Sequence, residues 1–396
     1  MRIAFLSTIV PNTLRTGSEI ATHAVLSILQ ELGHEVTLYA YARPLFRVAS
    51  PVETVLLGTI PIETAFAPAS EKLAWARRSL LSGNPISTEK YNYVPPATLQ
   101  AEILKGRPDL LILDHVNLFP FIEALASQLP IGLAFQDLQA HSYAMVAAGE
   151  KRPWWRAVYA REARLNARLE KHAGSIVRFR WFLSQADIDR AVEFGIPGGS
   201  VLPLYFPLDD TPPPPVSQAS YDVALIGTWS WPPVQQSIRW FLDEVVPLMP
   251  PEISIAVAGS GSLDLPGERI RRMGFVPDAR EFLASAKVSA VPTVAGTGIQ
   301  MKTLELAATG TPAVSTPLGV RGIDSVPENV VVAETARAFA EALVEAVRCP
   351  RPHDAVQGRA WNAGRKQAAT DMVRDSLAAF EPAGMPLATI SARQVN

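Results

Sequence analysis

Residues 2–8 (RIAFLST), 18–33 (SEIATHAVLSILQELG) and 35–41 (EVTLYAY) decide the fold. The outer two are apolar runs of strand length. The middle one carries apolar residues at helical spacing and closes on Gly33, where a left-handed residue commonly ends a helix. Parallel strands need a crossover connection, so strand, helix and strand in this order read as a βαβ unit.

The pattern continues outward. PDLLILD (108–114), IGLAFQD (131–137) and SIVRFRWFLS (175–184) are continuous apolar runs, as expected of strands covered on both faces. Residues 207–219, which hold the run TPPPPVSQA, break the alternation, because four consecutive prolines fit neither a helix interior nor a central strand. A second alternation follows, through YDVALIGT (221–228), ISIAVAGSG (253–261), VSAVPTV (288–294), PAVST (312–316) and NVVVAE (329–334). The expected class is α/β, with two Rossmann-like, doubly wound parallel-sheet domains at 1–206 and 220–362 joined by a proline-rich linker at 207–219. RAWNAGRKQAATDMVRDSLAAF (359–380) reads as helical and 383–396 as a loose tail.

Composition bounds the function. The 36 Lys and Arg against 38 Asp and Glu give a net charge of -2, which argues against a nucleic-acid partner. The single cysteine, Cys349, can form no internal disulfide and points to a reducing compartment. The opening MRIAFLSTIVP runs directly into a polar turn and reads as a buried strand rather than a signal peptide. No apolar run is long enough to span a bilayer, so the expected location is the cytoplasm.

The stretch GTGIQMKTLELAATG (296–310) carries the most chemistry. Ligands of open parallel sheets bind beyond the carboxyl ends of the strands. There, Gly296 and Gly298 let backbone amides approach a ligand, and the helix start behind them favours an anion. Helical periodicity places Gly298, Lys302, Glu305 and Thr309 on one side. One reading of Lys302 and Glu305 is a surface ion pair worth a few tenths of a kcal/mol. The other is an ammonium for a phosphate and a carboxylate for a ribose diol.

The second half, from DVALIGTWSWPPVQQSIRWFLDEVVPLM (222–249) through GFVPDAREFLASAKVSAVPTVAGTGIQMKTLELAATGTPAVSTPLGVRGID (274–324), resembles the donor domain of family 4 glycosyltransferases of the GT-B fold, especially those of bacterial polysaccharide assembly. MRIAFLSTIVP with Gly17, GHEVTLYAYAR, RPDLLILDH and WFLSQADID extend the resemblance to the first half. It implies two domains facing across a cleft that holds a nucleotide diphosphate sugar, with a last helix, 363–382, crossing back to the first domain. The implied activity is retaining transfer of a sugar to a saccharide acceptor, lipid-linked in such pathways. The nucleotide sugar is then a substrate, and neither a cofactor nor a protein-bound metal is expected.

By this resemblance Glu305 matches the glutamate that holds the ribose. The partner glutamate of the family's E-x7-E pair falls on Thr297, and Gln300 stands where related transferases carry an arginine for the diphosphate. Thr228 and Trp229 occupy another arginine's place, and the turn around Val276 supplies backbone to the base. Gly17 matches a glycine lying against the diphosphate from the opposite wall, although ordinary turn geometry explains a glycine there equally well. Gln136 takes the place of a histidine near the transferred sugar, with Asp137 beside it. Its amide can bond a sugar hydroxyl but cannot take a proton. His115, at another strand end, is either a cleft residue or a structural histidine.

From 151 to 180 the basic residues, among them Lys151, Arg152, Arg156 and Arg164, outnumber Glu162 and Glu170, with Trp154 and Trp155 at the start. This reads either as a solvated helix with salt bridges or as a peripheral contact with an anionic membrane surface.

Overall fold

The computed structural model describes residues 1–11, 17–44, 50–61, 67–208, 219–229, 232–296 and 298–380. Thr297, most of the expected linker (209–218) and the expected tail lie outside the described residues.

The first half builds a seven-stranded parallel sheet in the order β3-β2-β1-β4-β5-β6-β7. Its strands are β1 (Arg2–Ser7), β2 (Glu35–Ala42), β3 (Glu53–Thr59), β4 (Leu110–Leu113), β5 (Ile131–Phe135), β6 (Phe179–Phe182) and β7 (Ser200–Val201). Its helices are α1 (Gly17–Glu31), α2 (Ala69–Ser82), the single turn α3 (Ile86–Glu89), α4 (Pro96–Lys105), α5 (Phe119–Ile122), α6 (Gln139–Gly149), α7 (Pro153–Ile176) and α8 (Gln185–Glu193). In β1 only Arg2 is exposed, because helices cover both faces of the sheet. The apolar stripe of α1, Ile20, Ala24, Val25, Ile28 and Leu29, packs on that sheet. The run expected as one strand over 175–184 divides instead: Ser175 and Ile176 finish α7, and the strand starts at Phe179.

The second half builds a six-stranded parallel sheet, β10-β9-β8-β11-β12-β13. Its strands are β8 (Tyr221–Ile226), β9 (Ile255–Ala258), β10 (Ile270–Gly274), β11 (Ala286–Val291), β12 (Ala313–Ser315) and β13 (Val330–Val332). Helices α9 (Pro232–Trp240), α10 (Ala279–Ala284), α11 (Met301–Thr309) and α12 (Ala336–Arg348) flank it. Both sheets therefore reverse direction next to their first strand, at β1/β4 and β8/β11, where such folds open a crevice.

One helix, α13 (Ala355–Leu377), ties the halves. It begins against the end of α11: a Cβ on Gly358 would stand 2.3 Å from the Gly310 nitrogen, so only glycine permits this approach. Further along, Asn362 donates to and accepts from the backbone of Phe206, at 2.8 and 2.9 Å. Arg365 donates to the carbonyls of Leu204 (2.7 Å) and Gly322 (3.0 Å). Ala369, Val373 and Leu377 then enter the core of the first domain, and Ser376 accepts from the Trp181 indole at 3.0 Å.

Candidate active site

The loop after β11 approaches the first domain. Gly296 (φ 123°) and Gly298 (φ 72°) adopt backbone angles that a side chain would strain. Behind them Arg321, from the loop after β12, donates to the Gly298 carbonyl at 2.8 and 3.2 Å and to the Gly296 carbonyl at 3.3 Å. The guanidinium fixes the course of the loop. Its half-buried setting lowers its pKa, with Asp187 acting in the opposite sense. Along the chain Arg321 is only an arginine beside a glycine in VRGID, and no motif singles it out.

Gln300 precedes α11 with no capping bond from its side chain. One turn in, Lys302 Nζ meets Glu305 Oε2 at 3.0 Å, the Glu305 side chain being 8 % exposed and that of Lys302 38 %. The i, i+3 ion pair is thus formed. Among the described residues Lys302 is the one hydrogen-bonding partner of the Glu305 carboxylate, which can accept about four hydrogen bonds in all. Thr309, on the same side, spends its hydroxyl on the carbonyls of Glu305 and Leu306 and on Thr311.

On the facing wall the ends of β1, β4 and β5 converge on Asp114, which is buried. Gln136 Nε2 donates to its Oδ1 at 2.7 Å, Ser7 Oγ donates to Oδ2 at 2.8 Å, and Thr22 of α1 also donates to Oδ2. Burial raises the Asp114 pKa to about 6 despite these three donors. Because a carboxylate takes only donors here, the Gln136 amide has its nitrogen turned inward, which leaves its carbonyl oxygen for other partners. A Cβ on Gly298 would lie 3.2 Å from the Gln136 backbone carbonyl, so the two loops meet across the cleft. Asp114 carries no signal in the sequence because three separated segments assemble its surroundings.

Asp137 is half-buried beside Ser142 (3.5 Å); burial, and then the Asp187 charge, raise its pKa to about 6. His115 does not join Gln136. Its Nε2 pairs with Ser18 Oγ at 3.0 Å, and burial lowers its pKa to about 4, so it is neutral at pH 7. Gly17 opens α1 directly against α11: a Cβ there would stand 2.8 Å from Met301 Cγ. Thr228 is exposed just past the end of β8. Trp229, expected to face the donor, is a core residue whose indole donates to the Ala258 carbonyl at 2.7 Å. Val276 is half-buried against the cluster of Phe282 and Leu283. No cluster of three or more His, Cys, Asp or Glu among the described residues is placed to hold a metal ion.

The glycine loop and the helix behind it lie within a known family pattern. Residues 220–348 match the family model for glycosyl transferases group 1. The glycosyl transferase match takes in Thr228, Gly298, Lys302, Glu305 and Arg321, about a third of the chain in all. Over 96 % of its length the chain is similar to solved structures of the GT-B fold. It is similar to the sucrose-phosphate synthase of Thermosynechococcus elongatus (TM-score 0.61, 14 % identity, 96 % of each chain covered). It is similar also to the HepE protein of Anabaena in complex with UDP (0.61, 13 %, 96 % of this chain and 100 % of that one) and to the lipopolysaccharide outer core galactosyltransferase WaaB (0.60, 12 %, 96 % and 99 %). No curated protein matches the chain by sequence.

Proposed function

We propose that the protein transfers a sugar from a nucleotide diphosphate sugar to a saccharide acceptor with retention of configuration. The observation that carries this reading is the nearly buried Glu305, on the helix behind a glycine loop that meets Gln136 across the two switch points. Glu305 accepts from the ribose hydroxyls. Lys302, beside Glu305 on the same helix, reaches the diphosphate together with the backbone amides of Gly298 and the start of α11. Thr228 and the backbone at Val276 border the nucleotide, and Gly17 and Gln300 flank the phosphates.

On the acceptor side Gln136 offers its amide oxygen to a sugar hydroxyl, with Asp137 as a second polar contact and neutral His115 holding the start of α1 through Ser18. The bond between the sugar's anomeric carbon and the phosphate oxygen breaks as the acceptor oxygen bonds that carbon on the same face. The acceptor proton passes to the leaving diphosphate, so no protein nucleophile is required. HepE was obtained with UDP and with UDP-glucose, which makes uridine nucleotides the first donors to try. The acceptor we infer is lipid-linked, at the inner face of the membrane, in polysaccharide or glycoconjugate synthesis.

Arg321 spends its guanidinium on loop carbonyls, and Gln300 adds no charge. This sparseness of cations favours a second reading, a GT-B protein that binds a nucleotide without turnover. Release of free nucleoside diphosphate only when a saccharide acceptor is present supports transfer. Binding without acceptor-dependent release supports the second reading.

A further inference from the structure

The α6–α7 hairpin stands beyond the carboxyl edge of the first sheet. Helix α6 starts three residues after Gln136, and its Ala140 amide donates to Glu170 Oε1 at 3.0 Å, which sets the start of α6 level with residue 170 of α7. Residues 153–169 of α7 therefore project past that level by about 25 Å, at 1.5 Å per residue. Ring pairs Trp155–Tyr159 (6.0 Å) and Tyr143–Tyr159 (6.3 Å) hold the projecting part together. Its tip carries Trp154, 75 % exposed, and Trp155, 43 % exposed.

Charge on this hairpin is one-sided. Arg152 is paired with Glu150 at 2.9 Å, but Lys151, Arg156, Arg164 and Arg168 are exposed as well, whereas both acids of α7, Glu162 and Glu170, are buried. Glu162 is spent on the amides of Ile86 and Ser87 and on Arg161.

Helix α2 adjoins it. Apart from Trp75 and Ser79 it buries nothing fully, and it exposes Leu73 (72 %), Leu80 (72 %) and Leu81 (80 %) with Lys72 and Arg77 among them. Arg161 of α7 donates to the Ser79 hydroxyl (2.9 Å) and carbonyl (3.0 Å), at the leucine end of α2. Trp154 precedes Arg161 by seven residues, two helical turns, and so lies on the same side of α7, about 10 Å further out. Exposed leucines on α2 and exposed tryptophans and cations on α7 thus stand on adjoining helices.

Three exposed leucines on one helix are unusual on a surface that meets only water. A protein partner for this surface would need a strongly acidic, apolar face. An anionic bilayer supplies both properties, since basic side chains sit at its headgroups while leucine and tryptophan enter the acyl boundary. We propose that α2 and the α6–α7 hairpin seat the protein on an anionic lipid surface, the leucines of α2 and the two tryptophans entering it and the basic face of α7 lying along it. The proposal rests on the transferase reading only for its purpose, which is to bring the mouth of the cleft to a lipid-borne acceptor.

The test is co-sedimentation of the full chain with phosphatidylcholine vesicles, with and without phosphatidylglycerol, at physiological salt. Wild type binds only the vesicles containing phosphatidylglycerol. Leu80→Ser/Leu81→Ser and Trp154→Ala each lower that partition by about tenfold, with unchanged melting temperature. Arg156→Glu/Arg164→Glu lowers it as well. Absence of binding to either vesicle overturns the proposal. So does binding that responds to the charge reversals but not to the leucine and tryptophan changes, which would mark a general polyanion contact. Nucleotide binding by the same variants reports separately on the transferase reading, which a failure here leaves intact.

Discussion

Replacing Asp114 by Asn separates stability from function at the cleft wall. Burial raises the folded pKa of Asp114 from 3.8 to about 6, so the folded chain holds this proton more tightly than the unfolded one. The cost of ionising it accrues as pH rises from 3.8 to about 6 and is fully present above, where it amounts to about 3 kcal/mol at 1.36 kcal/mol per unit. Asn keeps the shape: its oxygen accepts from Gln136 Nε2, and its amide donates to the hydroxyls of Ser7 and Thr22. The variant is spared the ionisation cost. Between pH 5 and pH 7.5 its stability relative to wild type rises by about 1.4 kcal/mol, or about 3–6 °C in melting temperature for a domain of this size. Thermal melts at the two pH values measure this. Turnover falls while nucleotide affinity holds, because a neutral Asn no longer dictates which way the Gln136 amide faces. A stability difference between variant and wild type that is the same at both pH values would refute the reasoning.

Two further perturbations address the contact between the domains. Arg365→Ala leaves the carbonyls of Leu204 and Gly322 without their donor; at about 1–3 kcal/mol per unsatisfied group, calorimetry should show a melt lowered by several degrees or split into two transitions, and a single unchanged transition would contradict the role given to α13. Gly17→Ala brings a methyl to 2.8 Å from Met301 Cγ; it should weaken nucleotide binding and lower the melting temperature, and Met301→Ala should restore both, whereas no rescue would place the strain elsewhere.

The two alternations were legible because continuous apolar runs and helical stripes alternate in both halves, and the proline run marks where one ends. The start of the crossing helix was not legible: α13 begins at Ala355, eight residues before the expected 363. Gly358 and Gly364 weaken its helical signal, yet Gly358 is there because α13 packs on the backbone of Gly310. The shared helical side of Lys302 and Glu305 was legible from their spacing, and the ion pair between them forms; their place in a donor site is an expectation from the family resemblance, which spacing alone does not carry. Trp229 misled because a loop position after a strand does not reveal that its indole folds back to Ala258. Asp114 and Arg321 act through partners 22 or more residues away, a distance over which periodicity carries no information. The ridge of α2 lay hidden for the opposite reason, since single leucines on a helix suggest a buried face until their exposure is known.

Calorimetric titration of UDP, GDP, ADP, dTDP and CDP into wild type and Glu305→Gln tests the central claim most directly. The pair with Lys302 is half open to solvent on the lysine side, so its loss costs folding no more than about 1 kcal/mol and the variant remains folded. One nucleotide should bind wild type, and the substitution should weaken it by about 1–3 kcal/mol, roughly 5- to 150-fold. Equal affinity in wild type and variant, or no binding by either, would contradict the assignment of Glu305 and the donor site built around it.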